Sequence, residues 1–290
     1  MNVIEWVADF RVPQGRVRAG FTSRHGGVST AGYDSLNLGF HVGDAPTHVQ
    51  ANRAILGAQL GCEPAWMNQV HGSRVELAQP GVTAEATDAL VVARGPSGGT
   101  GPLHNAGDDA VLAGGPLPWL SGEADAFCAH PATQRAYAAC VMVADCIPLI
   151  LVDQTALRGA AVHVGRAGLL ADIATQAIRS LGGPASHLCA FIGPAICGKC
   201  YEVPEAMRVD AAHRVPECAS ETSWGTPSID LKAGLKAQLS RAGIQHVADV
   251  DICTLEDDRY FSHRGGGSQS GRFAGVLQVI CDTPSEPQVP

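Results

Sequence analysis

The chain has 290 residues, 46% of them hydrophobic, and a formal net charge of -8. That is apolar material enough for one large core or two small ones, and an acidic balance with singly scattered basic residues argues against nucleic acid or an anionic membrane surface as partner. The opening MNVIEWVADFRVPQGR carries Glu5 and Asp9 where an export signal would be positive, and no apolar run reaches the ~18 residues of a membrane span. A cytoplasmic protein is therefore expected, with its ten cysteines mostly free, buried thiols rather than a disulfide framework.

In chain order, residues 17–22 read as a strand. Thr47 with Gln50 three residues on forms a capping box for a helix that runs through Ile55, Leu56 and Leu60 and stops at Gly61. A strand over 88–92 follows, and then RGPSGGTGPLHNAGDDAVLAGGPLPWLSG, residues 94–122, too long and too rich in glycine and proline for an ordinary connection. It reads as a loop insertion or lid. A linker between two domains is the competing reading, but TDALVVA and ADAFCAH on either side look like parts of one sheet. Strands are expected at 138–143, 187–192, 250–253 and 273–280. Leu169, Ile173, Ala177 and Leu181 recur at helical spacing before Gly182-Gly183-Pro184, and Asp230 caps a helix with Leu231, Leu235 and Leu239 inward and Gly243 at its end. This alternation of helices and strands places the chain in a mixed α/β or α+β class.

The stretch VADCIPLILVDQTALRGAAVHVG, residues 143–165, reads as a hairpin: Pro148 to Val152 runs in, Asp153-Gln154-Thr155 turns, and Arg158 to Val164 runs back. Folding it symmetrically about that turn sets Cys146 opposite His163, with Cβ atoms roughly 4.5 to 5.5 Å apart. Pro148 donates nothing to a ladder, so pairing near Cys146 is interrupted or at an edge. A buried cysteine and a satisfied core histidine are one reading of the pair. With His71 of NQVHG it becomes two imidazoles and a thiolate, the ligand set of a catalytic zinc with an open fourth position. Copper suits a His2Cys set as well, but blue-copper sites want a weak axial ligand such as Met, and no methionine closely follows this cysteine and histidine; the eleven histidines also contain no His-x-His pair.

Cys197-Gly198-Lys199-Cys200 is a lone CxxC: a redox dithiol if it sits at a helix N-terminus, a structural zinc site only with a second pair, otherwise two reduced structural cysteines. Arg24-His25-Gly26-Gly27 and Arg264-Gly265-Gly266-Gly267, with Arg272 beyond, combine guanidiniums with glycine backbone that an anion can approach, or are flexible solvated turns. Neither is a Walker A or dinucleotide fingerprint.

FTSRHGGVST, SLNLGFHVGD, NQVHGSRV, VADCIPLILVD, AAVHVG, FIGPAICGKCYEV, DLKAGLKAQL and the closing FSHR with GRFAG resemble, in this order and over nearly the whole chain, the laccase-domain family. That family, first described as polyphenol oxidases, is associated with zinc-dependent purine nucleoside phosphorylase and adenosine deaminase activity, and some members with editing of peptidoglycan precursors. The resemblance implies a single α+β domain over 1–290, layered αββα with mixed sheets and outer helices. It puts the metal ligands on His71, Cys146 and His163, with zinc as cofactor and purine nucleosides and phosphate as small-molecule partners. Asn37, Arg24 and Arg272 lie in blocks that surround the pocket in similar proteins. Where the family reads HAGWRG this chain reads HVGRAG, so Arg166 and Ala167 replace Trp-Arg, and either Asp88 or Asp125 occupies the family's ADA position.

The expected catalytic set is accordingly Cys146, Asp145, Asn37 and Arg24, with Arg166, Arg264 and Arg272 toward substrate or phosphate. Asp145 and Glu202 are candidate proton shuttles for deamination, Asp145 alternatively a structural carboxylate that caps a turn or holds His163. Two other functions fit the same residues: a hydrolase in which Cys146 is nucleophile and His163 its base, cleaving an amide in cell-wall precursors, and a non-enzymatic, metal-stabilised binding protein.

Overall fold

Several strands of this chain are apolar on both faces, which a sheet tolerates only when it is covered on both sides. The computed structural model, which describes residues 2–93 and 136–282, shows how that is arranged. One sheet has the order β1 (Ile4–Val12), β2 (Gly15–Thr22), β14 (Phe273–Cys281), β7 (Ala136–Val143). The other has the order β13 (His246–Asp249), β10 (Leu188–Ile192), β8 (Ile147–Asp153), β9 (Arg158–Val164), β6 (Ala89–Ala93), β4 (Val75–Leu77). The first is antiparallel throughout; the second mixes antiparallel pairs with two parallel ones, β10 with β13 and β4 with β6. Two small ribbons, β3 (Trp66–Met67) with β5 (Thr83–Ala84) and β11 (Ala219–Glu221) with β12 (Pro227–Ile229), complete the strands described.

Three apolar layers result. Ile150 and Val152 of β8 meet Val17, Ala19, Val141 and Leu277 of the first sheet, forming the core between the sheets. The opposite face of β8, Leu149 and Leu151, packs under α2 (Arg166–Leu170), α3 (Ile173–Leu181), α4 (Glu205–Arg214) and α5 (Leu231–Arg241). Beyond the first sheet, Leu56 and Leu60 of α1 (Pro46–Leu60) cover Ala138, Cys140 and Val276. This is the expected α+β layering, helix, sheet, sheet, helix. The cysteines Cys140, Cys189 and Cys218 are buried free thiols, as expected. The segment 94–122 and Asp125 lie outside the described residues.

Local signals fared unevenly. Asp230 caps α5, its carboxylate accepting from Ala233 N at 2.9 Å, and Gly61 closes α1 in the left-handed conformation at φ 65°. Thr47, however, is inside α1: Pro46 takes the first helical position, where its missing N–H costs nothing, and Ala45 precedes it. The helix expected through Leu169 and Leu181 is two helices, parted at Asp172, which adopts φ 56°. Residues 250–253 are not a strand. The strand is β13, four residues earlier, and it ends where Asp251 turns at φ 50° with its N–H on the Asp249 carboxylate. The strand β1, β13 itself and helix α4 went unread in the sequence, because their faces are half exposed and their apolar pattern is weak.

The hairpin forms, with a corrected register. Ile147 pairs with Val164 and Pro148 with His163. The fold symmetric about the middle of the Gln154–Thr155 step therefore fails by one place on each arm: Cys146 lies beyond the last pair, diagonal to His163 and across from Gly165. The cause is the turn. Asp153 Oδ1 accepts from Thr155 N, Thr155 Oγ1 and Ala156 N at 2.7 to 3.1 Å, and Oδ2 accepts from Arg158 Nε at 2.7 Å. That carboxylate places the four-residue connection at 154–157, one residue later than pairing Cys146 with His163 would require.

Candidate metal centre and cavity

Three chain segments meet at one end of the second sheet. Cys146 immediately precedes β8, His163 is the penultimate residue of β9, and His71 comes from the loop between β3 and β4. Their ligand atoms all lie within 4.8 Å of one another, and Cys146 Sγ is 3.9 Å from His71 Nε2. The imidazoles of His71 and His163 stand edge to face with centroids 4.7 Å apart. Gly165 makes the approach possible: a Cβ there would lie 2.9 Å from His71 Cδ2 and 3.0 Å from Cys146 Sγ.

Asp88, just before β6, orients both histidines. Its Oδ1 accepts from His163 Nδ1 at 2.8 Å and from His71 N at 3.0 Å, and Oδ2 accepts from Gly72 N at 2.7 Å. With Nδ1 engaged, His163 turns Nε2 toward Cys146, the arrangement in which an outer carboxylate fixes the tautomer of a metal-binding histidine. Burial opposes ionisation of Asp88, but these hydrogen bonds outweigh it and hold its pKa below the ordinary aspartate range. The same contest governs the other pair. Burial alone would raise the Cys146 thiol, yet the neighbouring His163 and His71 bring it down to about 6; burial alone would depress His163, yet Cys146 and Asp88 raise it to about 9.

A cavity of about 520 Å³ opens on this cluster. Arg166 at the start of α2, Arg264 in α6 (His263–Gly266) and Arg272 just before β14 all line it, so the three arginines expected at the substrate converge although they are far apart in sequence. His41, Gln69, Tyr201 and His263 line it too and went unread as individual site residues. All four lie in the quoted blocks, His41 in SLNLGFHVGD, Gln69 in NQVHGSRV, Tyr201 in FIGPAICGKCYEV and His263 in FSHR, the one signal that pointed to them. Burial, then Arg272, Arg53 and His71, lower the His41 pKa. Burial raises that of Tyr201, whose ring has the Arg264 guanidinium 5.2 Å over it.

The other expected residues are placed differently. Asp145 lines the cavity, but both its oxygens are engaged, Oδ1 by Thr254 Oγ1 at 2.7 Å and Oδ2 by Arg264 N at 2.6 Å, and it touches neither histidine ring through them. It tethers the start of α6 and does not hold His163. Asp145 and His71 both adopt positive φ, 91° and 61°, a conformation that costs non-glycine residues about 1 to 3 kcal/mol and clusters at functional sites. Asn37 is fully buried and does not line the cavity; its Oδ1 accepts from Arg272 N at 2.9 Å and its Nδ2 donates to Asp44 at 2.9 Å, so it holds the Arg272 backbone. Arg24 does not line the cavity either: its Nε donates to the Asp34 carbonyl at 2.6 Å and its guanidinium lies 4.7 Å over the Phe261 ring. Glu202 lies at a separate shallow depression, accepting from Trp224 Nε1 at 3.0 Å. No helix among the described residues is long and apolar enough to cross a membrane.

Known proteins share this arrangement of chain. A Streptomyces coelicolor protein named a purine nucleoside phosphorylase is 39% identical over 264 residues, covering 89% of this chain and 93% of the relative. A Mycobacterium tuberculosis protein of the same name is 38% identical over 271 residues, covering 90% and 92%. The crystal structure of a Neisseria meningitidis protein matches at a TM-score of 0.73 and 28% identity, covering 97% of this chain and all of that one. A family model described as multi-copper polyphenol oxidoreductase laccase matches residues 18–280, from within β2 to within β14 and so across both sheets and every segment that reaches the cavity; the chain belongs to that family.

Proposed function

We propose that this chain is a metal-dependent purine nucleoside phosphorylase whose metal, zinc, is held by His71, Cys146 and His163. The observation that carries the reading is the convergence of that donor set and three guanidiniums, Arg166, Arg264 and Arg272, on one cavity of nucleoside size. Relatives at 38 to 39% identity that bear the phosphorylase name support it. The donor set suits zinc: two imidazoles, one thiol already depressed to about 6, and an oriented outer carboxylate. It suits a blue-copper centre less well. Met142 lines the cavity, but its Sδ is 3.3 Å from Arg53 Nη2 and so has a partner of its own. Zinc, when bound, would supply Lewis acidity to an oxygen ligand in its open position.

The chain's own residues account for the rest. The guanidiniums gather and orient the phosphate that attacks the anomeric carbon, and their charge stabilises the anion that arrives. Asn37 and Ser270 hold Arg272 through its backbone N–H and its Nη1, so the side chain is fixed before substrate binds. His41 is kept neutral at pH 7 by its depressed pKa and can exchange hydrogen bonds with the sugar or the departing purine. Deamination needs a proton-shuttling carboxylate at the metal. Asp145 is the only carboxylate among the described residues that lines the cavity, and its oxygens are committed, which favours phosphorolysis.

A specific observation supports a second reading. Cys146, His163 and Asp88 form a thiolate, imidazolium and carboxylate in series, the order of a cysteine hydrolase. The second histidine within reach of the same sulfur favours a metal. Purified protein incubated with adenosine, with and without phosphate, decides. Adenine and ribose 1-phosphate formed only with phosphate, and lost on chelation, are expected. Inosine would mean deamination; neither product from zinc-loaded protein defeats the nucleoside reading. Amide hydrolysis that survives chelation but not thiol alkylation establishes the alternative.

A further inference from the structure

The CxxC motif has partners that spacing alone did not reveal. β10 and β13 are parallel neighbours, Ile192 beside Asp249, so the segments that leave them run out side by side at the same end of the sheet. A bridge between Ala195 and Cys253 continues the alignment. Cys197 and Cys200 lie on one segment, Cys253 and Glu256 on the other. Each pair closes a tight turn, with Cys200 N donating to Cys197 O at 3.0 Å and Glu256 N to Cys253 O at 3.2 Å. All four ligand atoms fall within 4.8 Å of one another.

We propose that Cys197, Cys200, Cys253 and Glu256 bind a second metal ion, a divalent cation of zinc's class, in a structural role. Three sulfurs and a carboxylate oxygen are a closed four-donor set with no position left for substrate. A tetrahedron with bonds of about 2.3 Å needs ligands roughly 3.7 Å apart, a small contraction of the spacing present. The inner contacts already have that character. Cys200 Sγ lies 3.4 Å from Glu256 Oε1, and the Cys197 N–H points at Cys253 Sγ at 3.4 Å, a backbone donor aimed at a sulfur that carries negative charge once metal is bound. Donors this close leave room for one ion and not for a cluster of several irons.

None of the four residues lines the cavity, but their neighbours do. Ile196 and Tyr201 flank the CxxC and form part of its wall. Thr254, next to Cys253, holds the Asp145 carboxylate that precedes Cys146 and tethers Arg264. An ion at this position would cross-link the two segments that brace one side of the cavity. The inference does not depend on the proposed function.

Metal analysis of protein purified under reductant and without chelator tests it. Expected is one equivalent of zinc in His71→Ala, one in Cys253→Ser, and one more than either in the native chain. The Cys253→Ser variant should unfold at a lower temperature, and Cys253→His, which restores a ligand, should regain the ion. Should Cys253→Ser not fold, the native chain decides: zinc added back after chelation must protect Cys197, Cys200 and Cys253 from a thiol reagent, as mapped by mass spectrometry. Retention of the native metal content in Cys253→Ser, no protection of these thiols by zinc, or a disulfide among the three in reduced protein overturns the proposal. Zinc here with none at His71 would overturn the first site and leave this one standing.

Discussion

At the scale of single residues, the chemistry of Cys146 follows from what surrounds it. Cys62, with burial and no cation to compensate, has its thiol pushed up to about 11, and Cys140 is raised further still. Cys146 is half-buried beside the cavity and burial opposes its thiolate too, yet His163 and His71 hold it at about 6. The sign follows directly: a depressed pKa means that the thiolate persists as pH falls until about 6, then is lost by protonation. In metal-free protein, iodoacetamide should therefore label Cys146 first at pH 7, at a rate flat from pH 7 to 9 that drops about tenfold per unit well below 6. Peptide mapping by mass spectrometry against pH measures this; a rate that keeps climbing through pH 9, as for an ordinary thiol, contradicts the assignment. Zinc should suppress the labelling.

At the scale of elements, the junction where β9 passes into α2 matters most. Gly165 occupies it with an ordinary φ of -85°, so the need for glycine is not conformational but spatial. A methyl group would press on His71 Cδ2 and Cys146 Sγ, both backed by fixed structure. Gly165→Ala should fold and yet bind zinc at the first site about tenfold or more weakly, the size of loss seen when the support of metal ligands is disturbed. Competition with a chromophoric chelator, using Cys253→Ser as background to isolate this site, reads the change. Unaltered affinity would mean that the three ligands are not confined by this junction.

At the scale of the whole molecule, stability rests on two sheets pressed together, and the site inherits its rigidity from them. Leu277 of β14 is completely buried between the sheets, and a Cβ on Gly159 of β9 would sit 2.8 Å from its Cδ1, a measure of how closely the layers approach. Leu277→Ala should cost 2 to 5 kcal/mol, about the usual range for emptying such a position, seen as a lower urea midpoint with an unchanged slope. A loss under about 1 kcal/mol would show that the sheets close over the gap. A change in slope would point to a loosened native state.

The sequence by itself determined a mixed helix-and-strand class, most of the long strands, the caps at Asp230 and Gly61, and the grouping of His71, Cys146 and His163 as candidate donors, because periodicity, capping and ligand chemistry are written in residue types; the layering followed only from the family resemblance. Arg264 and Arg272 stood out locally because glycine lies beside them, whereas Arg166 stood out only as a departure from the family pattern. Tertiary structure alone decided the rest. The hairpin register depended on how the Asp153 carboxylate folded its turn, and moved Cys146 from facing His163 to facing Gly165. Asn37 and Arg24 lie behind the cavity and not in its wall, against partners, Arg272 and Phe261, more than two hundred residues away. Cys253 and Glu256 joined a motif that looked solitary because two parallel strands leave the sheet together. Contacts between segments so far apart along the chain leave no trace in local pattern, which is why the sequence could name the donors but not assemble them.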